Sequence, residues 1–257
     1  MAIVFAHRGA PLERPENTLA SFRRALELGA DALETDVHLT ADGAIVAIHD
    51  AHGARVAGVE RRIASSTLAE VKAWDLGYVF VDARGERPFV GQGHKIATLE
   101  QILGELPKVR VNIDLKDEDP ALARRFLEIV RRHSAEERIV AASFSRKPLR
   151  ILREAGWRGE MSLARVDFLE TWLVPRVLQR RRSPRLRAQI PTHAGPLRVD
   201  TPRVVRKLHE LGLAVDYWTI NDPEEAKRLV ERGADGIITD DPARIVPAVS
   251  SCKSPAL

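Results

Sequence analysis

The chain has 257 residues, 44% of them hydrophobic, the size and composition of one globular domain with a large core. Its 40 basic and 36 acidic residues leave a net charge of +4, a mild excess that suits an anionic substrate and is far too weak to argue for nucleic acid. No apolar stretch approaches the ~18 residues of a membrane span, no secretory leader is recognisable, and the one cysteine, Cys252, precludes an intramolecular disulfide. The reading is a cytoplasmic protein without membrane insertion, its oligomeric state left open.

In chain order, the apolar run 3–6 reads as a first strand. Asn17-Thr18 caps a helix that runs to Leu28 and stops at Gly29. A second strand, 32–37, is followed by Ala41-Asp42-Gly43, which has the look of a hairpin turn. The intervening residues still reach about 26–29 Å when extended, enough to return down a barrel and start a parallel third strand at 44–48. The second and third strands are therefore expected to lack a helix between them. Residues 51–96 show little periodicity and many glycines, and read as an excursion over the mouth of a site, helical near Leu68 to Trp74.

Downstream, helix and strand signals alternate. Thr98 with Gln101 forms a capping box, 109–115 is a strand, and Pro120 to His133 is a helix with Leu122, Phe126, Ile129 and Val130 on one face. Strands at 138–143, 160–164, 187–191, 214–220 and 236–239 alternate with helices, among them Pro202 to Leu211 and the one opened by Asp222-Pro223-Glu224-Glu225. This makes nine strand candidates for a barrel of eight, and the less apolar 160–164 and 187–191 are the weakest. Gly29-Ala30-Asp31 followed by Thr35-Asp36 is echoed by Gly233-Ala234-Asp235 followed by Thr239-Asp240, as repeated βα units would be. The expected fold is an α/β (β/α)8 TIM barrel, irregular between the second and third strands, with a small insertion after the third. One domain covers 1–248, with 249–257 as a tail.

The chemistry gathers at strand ends, where such a barrel builds its active site. Glu34 and Asp36 are two apart on a strand and leave the same face. Asp114 has a similar strand-end placement. Three carboxylates in one pocket repel, and a hard divalent cation, Mg²⁺ or Ca²⁺, would resolve the conflict. His7 and His49 each follow an apolar strand and can exchange protons near neutral pH. Arg8 and Lys116 suit phosphate oxygens or the acidic cluster itself. Trp218 walls a substrate cleft or packs inside the barrel. His38, His52, His94, His133, His193 and His209 show no comparable placement. The run Arg180-Arg181-Arg182, with Arg185 and Arg187, reads as a solvated helix end.

The motifs together resemble the glycerophosphodiester phosphodiesterase family. They are His7-Arg8-Gly9 with Pro15-Glu16-Asn17-Thr18, then Glu34-Thr35-Asp36-Val37, then Thr40-x-Asp42-Gly43 leading to His49-Asp50. Thr67 to Val71, Thr98-Leu99-Glu100, Ser143-Phe144, Trp218 to Asn221 and Thr239 to Pro242 follow in the same order. The resemblance implies a barrel that hydrolyses small glycerophosphodiesters to glycerol 3-phosphate and an alcohol. By similarity, His7 and His49 are the acid–base pair, Glu34 and Asp36 are metal ligands, Arg8 and Lys116 meet the phosphate, and Glu16 and Asn17 line the pocket. Two departures stand out. The family's Glu-x-Lys on the fourth strand is here Asp114-x-Lys116, and at 51–62, where the family carries a Leu-x-Arg-Thr-Thr stretch after His-Asp, the chain reads Ala51-His52-Gly53-Ala54-Arg55-Val56. A related lipid-cleaving barrel would need an apolar rim, for which Trp74, Tyr78, Phe80 and Phe89 are candidates. A third reading is a non-catalytic binder that keeps the fold, against which the two histidines argue.

Overall fold

The structure is a computed structural model that describes residues 2–173 and 185–252. Eight parallel staves close in chain order: Ile3–His7, Ala32–Leu39, Arg110–Leu115, Ile139–Ala142, Glu160–Ser162, Leu186–Ile190, Leu213–Tyr217 and Gly236–Thr239. The first stave pairs with both the second and the last, which seals the barrel. A helix follows each stave, from Leu19–Glu27 after the first to Pro242–Ser251 after the eighth. Their starts follow the capping signals. Thr18, Thr98, Asp119, Thr201 and Asp222 each accept a first-turn backbone N–H. The apolar sides of staves and helices meet in the outer layer, where Phe22, Leu33, Val37, Val111, Ile113, Leu122 and Phe126 are buried together.

The paired Gly-Ala-Asp segments are the same device used twice. Gly29 and Gly233 end their helices at φ +88° and +97°. Asp31 then accepts the Val4 N–H at 2.9 Å, and Asp235 accepts the Val215 N–H at 2.8 Å. Each aspartate thereby fixes the start of its own stave against the preceding or neighbouring one.

Three expectations about the strands need correction. Residues 44–48 do not form a stave. Ile45–Ala47 pairs antiparallel with the end of the second stave, Val37 opposite Ala47 and Leu39 opposite Ile45. The turn is closed by the Thr40 N–H on the Ala44 carbonyl at 2.9 Å, with Gly43 at φ +81°. The hairpin prevails because it pairs the backbone at once, whereas a return crossing would leave a run of extended backbone without partners. Asp114 and Lys116 therefore mark the end of the third stave, not the fourth, and the helix Leu99–Glu105 stands between the second and third staves, after the excursion.

The two weakest candidates are the fifth and sixth staves, and their low apolarity has a cause inside the barrel. Arg187, on the sixth stave, donates from Nε and Nη2 to Asp216 at 2.7 and 2.5 Å and from Nη1 to Glu160 at 3.0 Å. Gln189 Nε2 donates to Asn112 Oδ1 at 3.0 Å. The inward positions of these staves are thus polar and mutually bonded. Arg187 is consequently buried, not part of a solvated helix end, while Arg180, Arg181 and Arg182 lie outside the described residues.

The segment 51–96 builds a small core of its own from Val56, Ala57, Ile63, Val71, Trp74 and Leu76, against Val46 and Ile48 of the hairpin. Leu68–Ala73 is helical as expected, and Thr67 with Glu70 forms its capping box. Trp74 is buried, Phe80 packs on Phe89, and Phe89 meets His94 edge-on, so most of these aromatics serve packing rather than a rim. At the other end Val249 is buried in the last helix, so 249–251 belong to the barrel rather than to a tail.

The Arg187–Asp216 pair yields a stability prediction. Arg187→Ala leaves a buried carboxylate without its cation and should cost about 3–5 kcal/mol. Chemical denaturation at neutral pH measures it, and a loss below about 1 kcal/mol would contradict the buried-pair account.

Candidate active site

Register brings the distant motifs together. His7 on the first stave is level with Glu34 on the second, which is level with Asn112 on the third. Asp36 is level with Asp114 one inward layer higher. Because side chains alternate, Glu34 and Asp36 face the interior while Thr35 faces the helices. A cavity of about 700 Å³ opens at these stave ends and is lined by His7, Arg8, Glu34, Asp36, His49, Asp114, Lys116 and Trp218.

Both imidazoles are anchored through Nδ1. His7 Nδ1–H donates to Asp240 Oδ1 at 2.6 Å, and His49 Nδ1–H donates to Asp50 Oδ1 at 2.7 Å. That assignment follows from the acceptor-only carboxylates and leaves each Nε2 as the second nitrogen. His7 Nε2 lies 3.8 Å from Glu34 Oε2. Burial disfavours the His7 imidazolium, but Glu34 and the Asp240 hydrogen bond outweigh it and raise its pKa. Asp240 is held below the usual carboxylate range, its burial offset chiefly by the His7 bond.

The cations sit among the acids. Lys116 Nζ contacts Asp36 Oδ1 at 2.7 Å and Asp114 Oδ2 at 2.8 Å. Arg8 Nε lies 3.2 Å from Asp36 Oδ2, and its backbone N–H donates to the Glu34 carbonyl at 2.9 Å. Arg8 adopts φ +58°, a conformation uncommon for a side-chain-bearing residue. Gly9 follows at φ +92°, where a Cβ would stand 2.4 Å from Ser21 Oγ. Only glycine lets the chain pass there.

The three carboxylates respond differently. Burial opposes ionisation of Asp36, but Lys116 and Arg8 reverse the effect and lower its pKa. Burial raises that of Asp114, with Lys116 opposing in part. Glu34 is pushed up to about 8 by burial and by the neighbouring Asp36. Burial also works against the Lys116 ammonium, yet Asp114 and Asp36 keep it charged.

The donor set fits a hard cation. Asp114 Oδ1 is buried without a hydrogen-bond partner, Asp36 Oδ2 is buried with only its ion pair to Arg8 Nε, and Glu34 is buried beside Asp36 without enough positive charge to hold it ionised below about 8. Among the described residues, no three of His, Cys, Asp and Glu already converge as a ready-made metal cluster, since Lys116 stands between Asp36 and Asp114.

Two of the expected pocket residues stand outside the cavity. Asn17 Oδ1 accepts the Thr35 hydroxyl at 2.8 Å on the helix-facing side of the second stave. Glu16 is on the rim, where it accepts from Arg8 Nη1 at 3.3 Å. Trp218 does wall the cavity and meets Phe144 edge-on, ring centroids 5.8 Å apart. No residue of 51–96 lines it.

The sequence marks Asp50 in the His49-Asp50 motif and Asp240 both as an echo of Asp36 and in the Thr239 to Pro242 motif, but it does not show either as the partner of a histidine. His38 lacks a strand-end placement in the sequence, yet its Nε2 lies 3.1 Å from the His49 carbonyl and its Nδ1 lies 3.0 Å from Asp117. It ties the His49 backbone to the end of the second stave. Gln189, Asn112, Arg165 and His193 also line the cavity. Nothing local in the sequence distinguished them.

A sequence model of the Glycerophosphoryl diester phosphodiesterase family matches residues 7–244. A relative named glycerophosphodiester phosphodiesterase, from Caldanaerobacter subterraneus subsp. tengcongensis, is 32% identical over 254 residues, covering 96% of this chain and 97% of its own. The crystal structure of a glycerophosphodiester phosphodiesterase from Thermotoga maritima has TM-score 0.72 at 28% identity, covering 96% and 98% of the two chains. An Oleispira antarctica phosphodiesterase, solved in complex with the product sn-glycerol-3-phosphate, shares the fold with TM-score 0.77 at 24% identity, covering 97% of each chain. Matched from the first strand end to the last helix, and with a near full-length relative above 30% identity, the chain belongs to the glycerophosphoryl diester phosphodiesterase family.

Proposed function

We propose that this enzyme cleaves small glycerophosphodiesters to glycerol 3-phosphate and an alcohol by two-histidine acid–base catalysis, aided by a divalent cation. The observation that carries the reading is the pairing of His7 with Asp240 and His49 with Asp50 beside a cavity that also holds Arg8 and Lys116. Each imidazole has Nδ1 fixed on a carboxylate, so Nε2 is the nitrogen offered to substrate. One takes a proton from the nucleophile, either water or a glycerol hydroxyl whose cyclic phosphate a water then opens, and the other gives a proton to the departing alcohol oxygen. Arg8 and Lys116 face the phosphate and neutralise charge that grows on its oxygens. Trp218 and Phe144 form an apolar wall that orients the alcohol.

Glu34 and Asp36 are the proposed ligands of Mg²⁺ or Ca²⁺, with Asp114 beside them. Such an ion would polarise the phosphate and lower the charge conflict among the carboxylates. We also place the reaction in the cytoplasm, within glycerol and lipid metabolism. A single cysteine supports a setting that needs no disulfide. Among the described residues no helix is long and apolar enough to cross a membrane.

Two outcomes test the proposal. His49→Ala should lower kcat at least ~10²-fold while glycerol 3-phosphate still binds, by steady-state kinetics and calorimetry. Near-normal turnover in that variant would remove the acid–base assignment. Stripping with EDTA should abolish turnover, and Mg²⁺ or Ca²⁺ should restore it.

The pH dependence of cation binding is a further check. Glu34 has its carboxyl raised to about 8, so below that pH it carries a proton that a cation must displace. Affinity should therefore rise with pH, roughly tenfold per unit until Glu34 is ionised, and then level off. Calorimetric titrations with Mg²⁺ at about pH 6.5 and about pH 8.5 measure this, and equal affinities would argue against Glu34 as a ligand.

A further inference from the structure

One residue of the insertion, Arg55, touches both halves of the catalytic rim. Its Nε donates to Asp50 Oδ2 at 2.6 Å, and its Nη1 and Nη2 donate to Glu16 Oε2 and Oε1 at 2.7 and 2.8 Å. The other oxygen of Asp50 holds His49 Nδ1, and Glu16 Oε1 also accepts from Arg8 Nη1. A continuous path of charge-assisted bonds thus runs from His49 through Asp50, Arg55 and Glu16 to Arg8. Only a planar guanidinium can serve two carboxylates along separate edges in this way.

The path is braced from the insertion side. Arg55 lies on the helical turn Ala54–Ala57, whose Val56 and Ala57 are buried in the small core. The Trp74 ring packs on Gly53, where a Cβ would stand 2.6 Å from the ring. The turn therefore cannot swing without unpacking Trp74. Burial raises the Asp50 pKa, but its His49 and Arg55 bonds prevail and keep it ionised, in accord with this arrangement.

We propose that Arg55 is a positioning residue that sets the His49 imidazole through Asp50 and the Arg8 guanidinium through Glu16. The insertion, which does not line the cavity, would then govern proton transfer and phosphate binding together. This inference rests on the proposed roles of His49 and Arg8. Without Arg55, Asp50 and Glu16 lose their shared cation and repel, and both dependent groups lose their fixed partner.

The test uses the full chain with Mg²⁺, glycerophosphocholine turnover, and glycerol 3-phosphate binding by calorimetry. Asp50→Asn should lower kcat with little change in KM. Glu16→Gln should raise KM and weaken glycerol 3-phosphate with little change in kcat. Arg55→Ala should do both, each by roughly 10–100-fold. The double variant Arg55→Ala/Asp50→Asn should be no slower than the worse single, because both break one path. Arg55→Lys should recover only part of the loss, and millimolar guanidinium should restore Arg55→Ala. Arg61→Ala, in an exposed pair with Glu70 on the same insertion, should change neither parameter.

Wild-type kinetics in Arg55→Ala, additive losses in the double variant, or full recovery by lysine would each overturn the proposal. If Arg55→Ala does not fold, the split between Asp50→Asn and Glu16→Gln decides, and equal damage to kcat and KM in both would count against it. If the wild type releases no glycerol 3-phosphate, the reading of function fails separately. The Glu16–Arg8 arm is then read from glycerol 3-phosphate affinity and the Asp50–His49 arm from the His49 ring-nitrogen resonances, and the absence of change in both for Arg55→Ala would overturn it.

Discussion

The mouth of this barrel is organised by the repulsion of Glu34, Asp36 and Asp114, three buried carboxylates on two neighbouring staves. Two like charges about 4 Å apart cost about 4 kcal/mol at an effective dielectric near 20, so they cannot all be ionised unopposed. Lys116 and Arg8 oppose them unevenly. Asp36 takes both cations and is held ionised, while Glu34 is left with a proton up to about 8. The asymmetry leaves one acid that keeps its proton, which the proposed cation would displace. It also places Lys116 and Arg8 against the carboxylates, at the cavity where the proposed phosphate would sit.

Around that centre the chain builds two anchored imidazoles. Asp240 comes from the end of the eighth stave and Asp50 from the segment after the hairpin, so the two histidines are held from opposite directions of the chain. His38 steadies the His49 backbone, and Arg55 steadies Asp50. The excursion between the second and third staves is therefore more than a decoration of the barrel. Its small core seats a guanidinium at the rim. The lower barrel has a separate polar layer, Arg187 with Asp216 and Glu160, which fills the interior where other barrels use branched aliphatics.

Much of this was legible from local pattern. Caps such as Thr18 and Asp222 and the helix stops at Gly29 and Gly233 act within a few residues, so they are visible in any stretch of the chain. Alternation puts Glu34 and Asp36 on one face whatever surrounds them. The strand-end placement of His7, Asp114 and Lys116 likewise follows from short apolar runs. The errors arose where a decision depended on partners. The hairpin at 40–44 and a parallel return were both within reach of the chain, and only the actual neighbour of the second stave chose between them.

From order alone the chain determined its alternating βα units, its strand-end chemistry and its family motifs, because these rest on spacing and side-chain type. Tertiary structure alone decided which apolar run is not a stave, why the polar fifth and sixth staves are tolerated, and which carboxylate holds which histidine. Those outcomes join residues as far apart as His7 and Asp240 or Asn112 and Gln189. Pairings at that range are set by barrel closure and the burial of charge, and neither leaves a periodic trace in sequence.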